Sequence, residues 1–304
     1  MCANRIHPDQ IDTDERLARR LIADQFPHWA DLPVTAVPTS GTENAIYRLG
    51  DEMCVRLPYR SVRDDQIAKL ERWPPRLAPH LPLRIPEVLA RGVPTEEYPA
   101  AWSIVRWLDG EEAAFERLDD PVSAARTLAH FVRALIAIDA TDGPRPGTHN
   151  FWRGVPLAAR DDMTRRCIAE SVGLVDTEAV ARAWARDLGA PPWAAPPTWL
   201  HGDLVPDNLL VNAGRLNAVI DWGGLGVGDP ATELLPAWNF FRGASRDAYR
   251  EALGFDDATW ARGRGLALST SIVALPYYNG TIPIRAERAR DVIREVLADH
   301  ERER

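Results

Sequence analysis

Lysine is all but missing from this chain: of 36 basic residues only Lys69 is a lysine, and the rest are arginine. Cysteine is equally scarce. Cys2, Cys54 and Cys167 are an odd, scattered set, which excludes a disulfide framework and fits a reducing compartment. With seven histidines and three cysteines and no zinc-like spacing among them, a zinc hydrolase is also excluded. No apolar run approaches the ~18 residues of a membrane span, and the N-terminal stretch MCANRIHPDQIDTDERLARRL is polar where a signal peptide is apolar. The expectation is a soluble cytoplasmic protein with no membrane partner. A surplus of positive charge is absent too, since the net charge is −8, and this argues against a nucleic-acid partner, which needs a basic surface.

What is present suits an ordinary globular core. Over 304 residues, 45% are hydrophobic, 26% are charged and 11 are tryptophan. Residues 12–25 read as a helix with Leu17, Leu21 and Ile22 on one face and Asp12 or Thr13 as its cap. The pattern then changes to period two, predicting strands at 34–37, 45–49 and 53–57, the last two joined at Gly50-Asp51. Residues 64–73 return to a helix, and five prolines between 74 and 86 break the chain before strands near 88–90 and 102–107. From residue 121 the reading is helical, over 121–140, 155–171, 177–188, 231–241, 245–253, 257–275 and 284–299, with Tyr277-Tyr278-Asn279 in a loop. No internal repeat or low-complexity linker interrupts it.

The chemistry is concentrated in WLHGDLVPDNLLVNAGRLNAVIDWGG, residues 199–224. Leu209–Val211 and Leu216–Ile220 are short apolar runs, and Asn212-Ala213-Gly214-Arg215 between them supplies a hairpin turn. Folding back about Gly214 brings Asn208 opposite Asp221, since cross-strand Cβ atoms lie roughly 4.5–5.5 Å apart. Asp203 enters the same mouth five residues earlier. Hard oxygens of this kind suit Mg²⁺, which takes only one or two protein oxygens beside waters and phosphates. His201 is read as packing support for the loop.

In kinase-type phosphoryl transfer the catalytic loop runs H-R-D-x-x-x-x-N and a later D-F-G supplies a metal ligand. Here His201-Gly202-Asp203 is followed after four residues by Asn208, and Asp221-Trp222-Gly223 stands in place of D-F-G. The chain thus resembles the aminoglycoside phosphotransferase family of kinase-like enzymes, and Gly228-Asp229-Pro230 resembles that family's later G-D-P. The resemblance implies a two-lobed α+β fold: a small β-rich lobe over 1–105, a hinge at 106–110, and a larger helical lobe over 111–304 with a cleft between them. It implies that Asp203 is the catalytic residue, that Asn208 and Asp221 hold Mg²⁺, and that ATP or GTP is the phosphate donor.

The same resemblance assigns the nucleotide site. The loop 39–44 has one glycine, so by itself it reads equally as a connecting turn. The family likeness makes Ser40, Gly41, Thr42 and Asn44 a nucleotide-positioning loop. Arg56 stands where the family's phosphate-binding lysine is expected, and a guanidinium can contact two phosphate oxygens at once; the other reading is a surface strand arginine. Glu71 is the candidate acidic partner of Arg56, with Leu70 as an alternative occupant of that register. Arg106 and Leu108 would meet the nucleotide base through their main chain.

The implied activity is phosphoryl transfer to a hydroxyl of a small molecule, an antibiotic such as an aminoglycoside foremost, with a macrolide-like compound or another metabolite as the alternative. A protein kinase is disfavoured because Val205 stands where such enzymes carry a lysine and no A-P-E segment follows Asp221. A nucleotide-binding pseudoenzyme is the remaining rival, carried by the altered base at Arg56. For a polycationic acceptor, Glu233, Asp256, Asp257 and Glu287 are the candidate acidic contacts, although residues 229–304 balance 12 acids against 11 arginines. Monomer and homodimer are both compatible with the sequence.

Overall fold

Period-two alternation builds the first sheet. In the computed structural model, which describes residues 10–38, 43–60 and 64–303, five antiparallel strands lie in the order β1-β2-β3-β5-β4. They are β1 (Val34–Val37), β2 (Asn44–Leu49), β3 (Met53–Pro58), β4 (Val88–Gly92) and β5 (Trp102–Arg106). Ala45, Tyr47 and Leu49 of β2 and Val55 and Leu57 of β3 face inward, where they meet Leu17, Leu21 and Ile22 of α1 (Glu15–Gln25). The cap of α1 is Asp14, which accepts from Leu17 N at 2.7 Å, rather than Asp12 or Thr13. Trp102 fills the centre of this core, edge-on to Phe26 with ring centroids 5.5 Å apart. A Cβ on Gly92 would overlap the Trp102 indole at 1.9 Å, so that strand end must be glycine.

Two helices follow the sheet's third strand, α2 (Asp64–Arg72) and α3 (Pro74–Leu77). Register puts Arg56 of β3 opposite Ile46 of β2 on one side and Ser103 of β5 on the other. These elements form one compact unit, Met1–Pro79 with Leu83–Gly110 and Asn217–Gly223. The last of these segments is tied in through Arg84, whose N–H donates to Asn217 O at 3.4 Å and whose carbonyl accepts from Val219 N at 2.9 Å.

The other unit, His80–Pro82, Glu111–Leu216 and Gly224–Arg304, is mainly helical. It begins with β6 (Glu111–Glu112) and α4 (Pro121–Ala137), whose cap Asp120 accepts from both Val122 N and Ser123 N at 3.0 Å. Then come α5 (Asp161–Glu170), shorter than the predicted 155–171 because a single 3₁₀ turn precedes it, and α6 (Thr177–Leu188). Strand β7 (Thr198–Leu200) pairs antiparallel with β10 (Gly226–Gly228), and β8 (Leu209–Asn212) pairs with β6. After β8 the chain turns at Ala213 and Gly214, with φ of 47° and 72°, into β9 (Arg215–Val219), which starts in this unit and ends in the first. Positive φ at two successive turn residues is what a tight hairpin requires.

The helices α7 (Pro236–Asn239), α8 (Ala244–Leu253), α9 (Asp257–Asn279) and α10 (Pro283–Arg302) complete it. Helix α9 has buried residues all around its axis and packs among α5, α6 and α10. Its two buried arginines are paired accordingly. Arg262 forks onto Asp229 at 2.7 and 3.2 Å. Arg264 reaches Asp187 at 2.9 Å and Glu303 at 2.8 Å. The predicted loop at Tyr277-Tyr278-Asn279 is instead the last turn of α9, which carries Pro276 inside it and ends only at Gly280. The fold is therefore α+β, an antiparallel sheet followed by a larger helical part. No helix among the described residues is long and apolar enough to cross a membrane.

Candidate active site

The loop after β7 is shaped by glycine. Gly202 has φ +85°, and a Cβ there would lie 2.5 Å from Gly224 O, so no other residue fits between His201 and Asp203. His201 is fully buried and its Nδ1 accepts from Asp203 N at 3.2 Å, a supporting role. Gly202 N donates to Glu233 Oε1 at 2.9 Å. That carboxyl is fully enclosed. Burial pushes it up to about 7, against the opposing pull of the Gly202 and His201 N–H groups, and its Oε2 has no partner.

Asp203 is thus held from several sides. Its Oδ1 accepts from Arg153 Nη2 at 2.9 Å, and its Oδ2 from Asn208 Nδ2 at 3.2 Å. The same amide donates to Asp203 O at 2.9 Å. With its nitrogen turned to Asp203, Asn208 keeps Oδ1 as the oxygen that could take a cation. Asn239 Nδ2 donates to Leu204 O at 3.2 Å, fixing the next residue.

In the other unit, Arg56 and Asp221 form a second pair. Nη2 of Arg56 lies 3.6 Å from Asp221 Oδ1, and the aspartate side chain is 41% exposed. Asp221 has φ +58°, a region non-glycine residues enter seldom and aspartate more readily than most. Gly223 N donates to Asp221 Oδ1 at 3.4 Å. Trp222 is buried and donates to Val219 O at 3.0 Å, while Lys69 Nζ on α2 donates to Gly223 O at 2.8 Å. The single lysine therefore grips the backbone behind Asp221. A recess beside Arg56 is lined by Leu70, Val88, Ser103, Val105 and Trp222.

Several expectations change here. Glu71 does not partner Arg56; its Oε2 lies 3.8 Å from Arg91 Nη1, and Asp221 occupies the place beside Arg56. The α2 register turns Lys69 toward the Asp221 segment and leaves Glu71 on the outer side, 37% exposed. Ser40, Gly41 and Thr42 lie outside the described residues, whereas Asn44 opens β2 opposite Pro58. The Arg106 N–H is already bonded to Glu87 O at 2.9 Å, which takes it from a base; Leu108 is buried.

Of the four proposed acidic contacts, two are committed to the fold and two stay exposed in surface ion pairs. Glu233 is buried under the Gly202 loop, and Asp256 caps α9 by accepting from Thr259 N at 2.8 Å. Asp257 pairs with Arg250 at 2.7 Å and Glu287 with Arg290 at 3.2 Å. Asp229 of the G-D-P segment is likewise structural, held by Arg262.

Arg153 was not anticipated, and Glu233 was expected as an acceptor contact, not as the support of the Gly202 loop. Nothing in the sequence ties Arg153 to Asp203 across 50 residues. Glu233 did leave a trace, as the lone acid in the apolar run PATELLPAWNFF. Asn208 Oδ1 and the Asp221 carboxylate, which belong to different units, are each hard oxygens of the kind Mg²⁺ takes. Among the described residues no group of three or more His, Cys, Asp or Glu is gathered, so a cation at either would complete its sphere with water and ligand oxygens.

With this geometry in view, the chain belongs to the phosphotransferase enzyme family (APH), which it matches over residues 33–266. Among solved structures, the GDP and kanamycin complex of APH(2")-IIia is similar at 17% identity and a TM-score of 0.71, covering 93% of this chain and 98% of that one. Macrolide 2'-phosphotransferase MphH from Brachybacterium faecium is similar at 20% identity, TM-score 0.63, covering 92% and 97%. A choline/ethanolamine kinase family protein from Mesorhizobium loti follows the same fold at 19% identity, TM-score 0.59, covering 92% and 97%. At these identities the likeness is one of fold. No curated protein matches the chain.

Proposed function

We propose that this protein transfers the γ-phosphate of ATP or GTP to a hydroxyl of a small molecule. The observation that carries the reading is the pair of differently prepared aspartates: Asp203 clamped by Arg153 and Asn208, and Asp221 left partly exposed beside Arg56. Asp203 orients the acceptor hydroxyl and takes its proton, for which a carboxylate with a fixed direction is required. Arg153 keeps it aimed. Asn208 and Asp221 are the residues that would hold Mg²⁺, which supplies charge neutralisation on the transferring phosphate.

Arg56 is released from Asp221 to the donor's phosphates, and its permanent charge fits that task. Ser40, Gly41, Thr42 and Asn44 position the phosphates, Arg106 and Leu108 meet the base, and Glu71 supports this end of the nucleotide site only indirectly, through Arg91. Structural neighbours solved with GDP and kanamycin and with streptomycin and ATP support a nucleotide donor and an antibiotic acceptor such as an aminoglycoside. The MphH neighbour supports a macrolide as the alternative acceptor.

The test is a coupled assay of ATP and GTP consumption with Mg²⁺ across aminoglycosides, macrolides and hydroxylated metabolites, followed by product mass. Acceptor-dependent consumption with a product heavier by one phosphoryl group is expected. Binding of nucleotide without any acceptor-stimulated turnover would favour a pseudoenzyme.

A further inference from the structure

Two bulky aromatic side chains stand in solvent directly beside the arginine that clamps Asp203. Phe151 is 57% and Trp152 is 56% exposed. Both have left-handed backbone, with φ of 55° and 57°, a conformation that large side chains rarely adopt and that glycine would take freely. Their loop is nevertheless rigidly placed. Buried Asn150 accepts from Gly147 N at 3.0 Å through Oδ1 and donates to Arg153 O at 3.2 Å. Trp152 N donates to Gly147 O at 2.9 Å, and Gly154 O accepts from Asp229 N at 3.1 Å.

This loop lies on the backbone of the catalytic loop: a Cβ on Gly202 would sit 3.2 Å from Arg153 Cβ. Trp152 and Phe151 are therefore one and two residues from a side chain that touches His201-Gly202-Asp203. Strained aromatics beside a reactive group point to a binding surface, since packing alone does not explain side chains left this exposed.

Charge narrows what they bind. A polycation would need free carboxylates beside Asp203, yet Glu233 is buried under the Gly202 loop and Asp207 is held by Arg288 at 2.7 Å. The group touching Asp203 is itself a cation, Arg153, with a buried Nε that lacks a partner. A polycationic acceptor would meet like charge here.

Building on the phosphotransferase reading, we propose that Phe151 and Trp152 form the acceptor platform beside Asp203. The acceptor is then a hydroxylated molecule with an extended apolar face and at most one positive charge, not a polycation. An aromatic face suits apolar rings and can also stack one cationic group.

The test uses the whole protein with Mg-ATP and Mg-GTP, with erythromycin and 4-nitrophenyl glucoside as apolar-faced probes and kanamycin as the polycation. Wild type should bind and phosphorylate at least one apolar-faced probe saturably. Trp152→Ala and Phe151→Ala should raise KM for it about tenfold while kcat and nucleotide affinity stay near wild type, the signature of lost uniform binding. Trp152→Gly should raise Tm, because glycine relieves the backbone, yet weaken the probe as Trp152→Ala does. A purely structural role would leave KM unmoved. Turnover of kanamycin alone, no saturable binding of either apolar-faced probe, or unchanged KM in both alanine variants would each overturn the proposal. Calorimetry of Mg-nucleotide binding keeps the two readings apart: its absence in wild type defeats the phosphotransferase reading itself.

Discussion

His201-Gly202-Asp203 and Asp221-Trp222-Gly223 are both three-residue turns that put an aspartate at the end of a strand, and they solve the problem oppositely. In the first, glycine takes the left-handed backbone, at φ +85°, and the aspartate is clamped by side chains at 2.9 and 3.2 Å. In the second, the aspartate itself takes the left-handed backbone, and its nearest polar atoms stand at 3.4 and 3.6 Å. A clamped carboxylate has a fixed direction, which proton transfer needs. A loosely held one can exchange its arginine for a cation. The proposed division of roles rests on this difference in restraint.

The largest effect should come from Gly202→Ala. The new Cβ would meet Gly224 O at 2.5 Å in a backbone region alanine avoids; a loss of about 2–4 kcal/mol in denaturant unfolding is expected, with activity gone. A loss below about 0.5 kcal/mol, the level of an ordinary surface change, would show that the loop is not so constrained. Next, Asp203→Asn should keep the fold and lower kcat by about 10²- to 10⁴-fold. Near-normal kcat with an identified acceptor would remove Asp203 from the reaction.

Glu233 sharpens the comparison through pH. Its folded carboxyl lies near 7, above the ordinary 4.5, because burial disfavours the anion. The folded state therefore binds more protons than the unfolded state between those values. The stability this group contributes is present below about pH 4.5 and is lost as pH rises through 7, by up to about 3 kcal/mol. Glu233→Gln removes that titration. The variant should gain stability relative to wild type between pH 5 and 8.5, and parallel Tm curves over that range would refute it.

The smallest effect belongs to Asp221→Gly. It should stabilise the fold by about 0.4–1 kcal/mol by relieving the left-handed backbone. A drop in Tm would mean that the Arg56 contact outweighs the strain.

Much of the molecule could be read from sequence because it is local. Alternation located β1, β2 and β3 to within a residue, and the spacing of Asp203, Asn208 and Asp221 pointed to kinase-type chemistry. What could not be read depends on burial and distant contact. Arg153 reaches Asp203 from 50 residues away, and the choice between Glu71 and Leu70 beside Arg56 gave no hint that the register of α2 turns Lys69 to Gly223 O and Glu71 to Arg91. Of the acids proposed for a polycationic acceptor, folding buries Glu233 and makes a helix cap of Asp256, neither of which charge alone reveals.

The division of labour between the two aspartates is tested most directly by calorimetry of Mg-ATP and Mg-GTP binding to Asp203→Asn and Asp221→Ala side by side. The Asp203 variant should bind the Mg-nucleotide as wild type does, while the Asp221 variant should lose the Mg²⁺-dependent part of the binding, since it lacks the charged ligand. Unchanged Mg²⁺-dependent binding in Asp221→Ala, or its loss in Asp203→Asn, would contradict the account.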